Sequence, residues 1–184
     1  ERFLCSGAKR YRSLIIRTGR HGISFYIFDS FNRKVHMEQL FTDEYYMRKA
    51  LEEAKLAFQE DEVPVGCIIV CNNKIVARAH NLTERLNDVT AHAEMQAITA
   101  AANLLGGKYL TECVLYVTVE PCVMCAGAIA WAQVTKVVWG TRDEKRGYSN
   151  INQQVLHPKT QVVSGVLEAE SGELMKRFFA EKRR

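Results

Sequence analysis

The sequence predicts an α/β protein of three layers, α/β/α, with helices on both faces of one mixed five-stranded sheet. Three observations predict it. Strand-length apolar runs alternate with helix-length runs from residue 42 onward, in the order α-β-β-α-β-α-β-β-α. Val65-Gly66-Cys67-Ile68-Ile69-Val70-Cys71 is nearly continuous in apolar character, as a strand covered on both faces would be. The segment 122–133 carries no charge, which predicts a helix buried on most sides.

Each element has a local cause. Thr42 followed by Asp43 and Glu44 is a capping hydroxyl with acids in the positive first turn, and apolar residues recur at helical spacing from Met47 to Phe58. Strands are expected at 65–71 and 74–80, joined through Asn72-Asn73, because Asn tolerates positive φ. A polar loop, 81–90, leads to a helix over 91–105 that Gly106-Gly107 ends. Residues 113–119 read as a third strand and 122–133 as the next helix. Short strands at 137–139 and 162–163 and a last helix over 168–182 complete the pattern.

The chain has 184 residues, 47% hydrophobic and 25% charged, which excludes a disordered or low-complexity class. No apolar stretch approaches the ~20 residues that a membrane-spanning helix needs, so no membrane partner is expected. Six cysteines in this context suggest a reducing compartment and a cytoplasmic location, with thiols that bind metal or lie buried. The charge of +4 is uneven. Residues 1–40 hold eight basic and three acidic groups, net +5, whereas the remaining 144 hold 17 and 18, net −1. The first methionine is Met37, and residues 1–40 read as an extension dispensable for chemistry. Sequence upstream of a start at Met37, a basic arm for nucleic acid and a targeting peptide are the open readings of that extension. The catalytic domain is expected to span 41–184.

The chemistry concentrates in His92-Ala93-Glu94 and Pro121-Cys122-Val123-Met124-Cys125, each placed where a helix should begin. Cys122 and Cys125 are three apart, so both sulfurs project from one side of a first turn, where free amides favour thiolates. A neutral imidazole from His92 completes a soft and borderline donor set that selects one zinc ion. Two thiolates and a neutral imidazole balance the divalent charge and leave a fourth position for water. Glu94 advances along the helix past His92 and can carry protons instead of ligating. The competing reading is a closed structural site with Cys113, Cys67 or His80 as fourth ligand. Cys67 and Cys71 lie about 13 Å apart along an extended strand, too far to pair.

Residues 42–184 resemble the cytidine/nucleoside deaminase superfamily, and within it most closely the bacterial tRNA-specific adenosine deaminases. The resemblance rests on Glu62-Val63-Pro64-Val65-Gly66, Ala79-His80-Asn81, Thr90-Ala91-His92-Ala93-Glu94, the segment 119–128 around the two cysteines, and Gly140-Thr141-Arg142-Asp143-Glu144-Lys145-Arg146-Gly147. It implies a cytidine deaminase-like fold, His92, Cys122 and Cys125 as zinc ligands, and Glu94 as general acid/base. It further implies that Asn81 holds the target base, with Val63 and Val65 lining its pocket. Ala93 and Glu120 would sit near the amine and the metal, and Arg142, Asp143, Lys145 and Arg146 would meet neighbouring nucleotides. The implied reaction is hydrolytic deamination of the wobble adenosine of a tRNA anticodon stem-loop by a homodimer. Trp131 and the run Tyr148-Ser149-Asn150-Ile151-Asn152 depart from the family pattern. They keep open a guanine or other free-base or nucleoside deaminase. A third reading is a non-catalytic zinc domain that binds RNA.

Overall fold

The computed structural model describes Leu14–Ile15, Tyr26–Ile27 and residues 41–183. The chain divides into two units, Glu1–Leu40 and Phe41–Arg184. In the first, β1 (Leu14–Ile15) pairs antiparallel with β2 (Tyr26–Ile27), Leu14 opposite Ile27.

In the second unit the elements run α1 (Asp43–Gln59), β3 (Gly66–Cys71), β4 (Lys74–His80), α2 (Ala93–Leu105), β5 (Cys113–Val119), α3 (Val123–Trp131), β6 (Lys136–Thr141), β7 (Gln161–Val163) and α4 (Glu168–Lys182). Thr42 caps α1, its hydroxyl accepting from the Tyr45 amide at 3.2 Å. Asn72 and Asn73 both adopt positive φ, 49° and 60°, as a tight hairpin turn requires. Gly106 ends α2 in the left-handed conformation, with φ of 67°.

The five strands lie in the order β4-β3-β5-β6-β7. The β3 strand is antiparallel to both β4 and β5, whereas β5, β6 and β7 run parallel. Alternation along β3 divides the core. Cys67 and Ile69 face α2 and α3, packing with Ala97, Ala101 and Ile129. Ile68 and Val70 face the other side, with Tyr46, Met47 and Ala50 of α1. Each fully buried aliphatic side chain in these layers contributes about 1.5–3 kcal/mol. The α4 helix shares the α1 side, where Phe58 meets Phe178 edge to face at 5.8 Å. The first turn of α1 is fixed to the sheet through Asp43, which accepts from Lys136 Nζ at 2.7 Å and from the Tyr116 hydroxyl at 2.9 Å. Gly66 lets α1 lie directly on β3, since a Cβ there would stand 2.1 Å from the Ala50 carbonyl oxygen.

One expectation fails. The uncharged α3 buries Cys125, Ala126 and Ile129, but Val123, Met124 and Trp131 are exposed, Trp131 at 84%. Absence of charge had signalled burial on most sides, yet the described residues cover only one side of the helix.

Candidate active site

Strand directions bring the chemistry to one edge of the sheet. The start of β3, the end of β4 and the ends of β5 and β6 all meet there, because antiparallel partners reverse and parallel ones do not. Ligands commonly bind beyond the carboxyl ends of parallel strands, where loops and helix starts converge. A cleft of about 1010 Å³ opens at this edge, at the top of the ~300–1,000 Å³ range of small-molecule sites.

His92 and Cys122 occupy the N-cap positions of α2 and α3, and neither side chain makes a capping hydrogen bond. Both are therefore free to face one point. His92 Nδ1 lies 3.7 Å from Cys122 Sγ and 3.4 Å from Cys125 Sγ, and all three ligand atoms fall within 4.8 Å of one another. A tetrahedral ion with Zn–S of ~2.3 Å and Zn–N of ~2.0–2.1 Å would separate nitrogen from sulfur by about 3.6 Å. The donor set and its spacing thus fit zinc. Contact with Cys125 and with His92 holds the Cys122 thiol down to about 4, whereas that same Cys122 sulfur and burial push the Cys125 thiol far up. Two sulfurs here compete for one negative charge, a conflict that a cation between them relieves.

Among the described residues no fourth His, Cys, Asp or Glu joins this group. Burial, with Glu94 nearby, keeps Cys67 protonated, and Cys113 is pushed up to about 12, chiefly by burial. His80 is half-buried between Glu53 and Glu60, at 3.4 Å from each, and does not lie on the surface or in a turn. Glu94 sits in the first turn of α2, 3% exposed and lining the cleft. Burial raises its carboxyl above the ordinary range, the property a proton carrier needs near neutral pH.

Val63, Val65 and Asn81 line the same cleft as His92 and Cys122, together with Arg142, Asp143, Lys145 and Arg146. Ala93 is fully buried and is not among the residues that line the cleft. Glu120 lines the cleft but turns its carboxylate to the following loop, accepting from the Ser149 amide at 3.1 Å and the Asp143 amide at 3.3 Å. Gly147 leaves room for that carboxylate, since a Cβ there would stand 2.5 Å from it. Asp143 Oδ1 closes the loop on itself by accepting from the Lys145 and Arg146 amides.

Two residues that departed from the family pattern stay out of the cleft. Trp131 is exposed on α3, and Tyr148 packs into the core beneath the loop. Sequence reasoning did not place Thr83, Met175 or Phe179 here, although all three line the cleft. The closing Phe178-Phe179 pair was a signal for the last of these, and Lys176 and Arg183 beside it stood out by charge.

Residues 41–141 match the cytidine and deoxycytidylate deaminase zinc-binding region. The chain is 46% identical over 147 residues to the tRNA-specific adenosine deaminase of Bacillus subtilis, covering 77% of this chain and 91% of that one. It belongs to the tRNA-specific adenosine deaminase family. A second member, from Agrobacterium fabrum, is 42% identical over 144 residues, 76% of this chain and 95% of its own. A solved structure from work on A-to-I editing by tRNA:A34 deaminases superposes with a TM-score of 0.67 and 41% identity, covering 71% of this chain and 98% of that one. As in this deaminase family generally, the ion is zinc. Among the described residues no helix is long and apolar enough to cross a membrane.

Proposed function

We propose that this chain hydrolytically deaminates the wobble adenosine of a tRNA anticodon stem-loop to inosine, and that residues 41–184 suffice. The observation that carries the reading is a cleft joining His92, Cys122 and Glu94, with Cys125 buried behind them, to a basic, aromatic rim. Arg142, Lys145 and Arg146 come from the loop after β6, Lys176 and Phe179 from α4, and Arg183 from its C-terminal cap. Phosphates favour the cations, and an exposed aromatic offers a stacking face to an unpaired base. A free base carries no phosphate for the cations to meet.

His92, Cys122 and Cys125 would hold the ion, one per subunit. When bound, zinc lowers the pKa of water and makes hydroxide available at neutral pH. Asn81 holds the target nucleoside between Val63 and Val65, the Ala93 backbone lies beside the amine, and Glu120 holds the 143–149 loop in place. Glu94 takes a proton from water as its oxygen bonds to C6 and passes it to N1, then carries the remaining hydroxyl proton to the amine, so that the C6–N bond breaks, ammonia leaves and inosine remains. Asp143 and its basic neighbours meet the flanking nucleotides.

The reading includes a homodimer. Val123, Gly127 and Trp131 lie four apart on one stripe of α3, and among the described residues nothing outside the adjoining helix backbone lies within 4 Å of where a Gly127 Cβ would be. An uncharged helix face of this kind suits a second copy of the same chain. A cytoplasmic location goes with a tRNA substrate.

The test offers the zinc-loaded chain a wobble-adenosine stem-loop alongside free guanine, adenosine and cytidine. Inosine in the stem-loop alone supports the proposal. Xanthine from guanine replaces it with a free-base deaminase, and no product from any substrate replaces it with a binding module.

A further inference from the structure

Glu62 is 1% exposed, yet no ion pair among the described residues includes it. Burying a carboxylate without a cation is costly, so the position needs a reason. Its oxygens accept from Asn81 Nδ2 at 2.9 Å, from the Arg85 amide at 2.8 Å and from the Thr83 hydroxyl at 3.3 Å. A carboxylate only accepts, so the nitrogen of the Asn81 side chain must face it. The second Nδ2 proton goes to Thr83 Oγ1 at 2.9 Å, and the Thr83 proton goes on to Glu62. Both amide protons of Asn81 are thereby used. Its Oδ1 has no partner among the described residues, and Asn81 lines the cleft.

We propose that Glu62 is a positioning residue, which locks the Asn81 amide so that its carbonyl oxygen faces the substrate. At this point the cleft offers an acceptor only, and it selects a hydrogen-bond donor on the target nucleoside. Without the lock, the amide can rotate by half a turn and present N–H groups instead. The inference rests on the deaminase reading above only for its substrate.

The test is a double-mutant cycle on the zinc-loaded full chain, with the anticodon stem-loop as substrate. Glu62→Ala is expected to raise KM about tenfold while kcat stays within about threefold, the signature of lost binding orientation. In an Asn81→Ala background the same substitution should add less than about twofold. Independent, multiplying losses would make Glu62 merely structural and overturn the proposal. Wild-type protein without turnover would instead defeat the deaminase reading, and a nuclear magnetic resonance measurement then decides the inference alone. In the unmodified protein the Asn81 side-chain protons should exchange with solvent at least about tenfold more slowly than those of exposed Asn73. Equal rates would overturn the proposal, including where Glu62→Ala fails to fold.

Discussion

The Gln96 side chain donates to the His80 carbonyl oxygen at 2.7 Å and to the Ala91 carbonyl oxygen at 3.1 Å. One amide on α2 therefore joins the end of β4, from which Asn81 emerges, to the segment that delivers His92. Gln96→Glu cannot donate to either oxygen and sets a charge against both. A loss of about 1–3 kcal/mol in urea unfolding is expected, with kcat/KM lowered about tenfold.

Glu94→Gln keeps the shape of the site and removes its proton carrier. Turnover of the stem-loop should fall by at least about 10²–10⁴-fold, while elemental analysis still finds one zinc per chain. Cys122→Ser should lose the metal as well. X-ray absorption of the wild-type protein should show one nitrogen and two sulfurs, with an oxygen and no fourth protein ligand.

A methyl group at position 147 meets the Glu120 carboxylate and the Asp143 carbonyl oxygen at 2.5 and 2.6 Å. Gly147→Ala must push the 143–149 loop outward. Destabilisation of about 1–3 kcal/mol is expected, and stem-loop binding should weaken at least about tenfold. Zinc content should not change. Equilibrium binding and metal analysis on the same preparation separate the two effects.

Trp131→Glu places a charge on the uncovered α3 stripe. Light scattering should show the mass falling from dimer to monomer, with the dissociation constant raised more than about 30-fold. Unchanged mass would place the contact between copies elsewhere.

Asp88 accepts from the Thr90 hydroxyl and amide at 2.7 and 2.8 Å, and these bonds hold its carboxyl below the ordinary 3.8. The folded value lies below the unfolded one, so the stabilisation is complete above about pH 4. It disappears as pH falls through the lower folded value. Asp88→Ala should flatten that acid limb in urea titrations, with the largest difference from wild type near neutral pH.

Much of this was legible because its causes are local. Thr42, the Asn72-Asn73 turn and Gly106 act within a few residues, and the ligand spacing at Cys122 and Cys125 is itself a helical turn. The grip of Glu62 on Asn81 joins residues 19 apart across the β3–β4 hairpin, so no period or spacing announces it. Trp131 misled for a different reason. An apolar residue signals that something covers it, without saying whether the cover belongs to the same molecule. The strands and helices that form the cleft were readable one by one, but Phe179 and Met175 enter it through the way α4 packs.

His92 and Glu94 ride on a single turn of one helix, whereas Asn81 directly follows the end of another element, β4. Warming that loosens the seam between those elements leaves imidazole and carboxylate in step while the purine grip drifts. Such an enzyme should grow careless about what it modifies well before it grows slow.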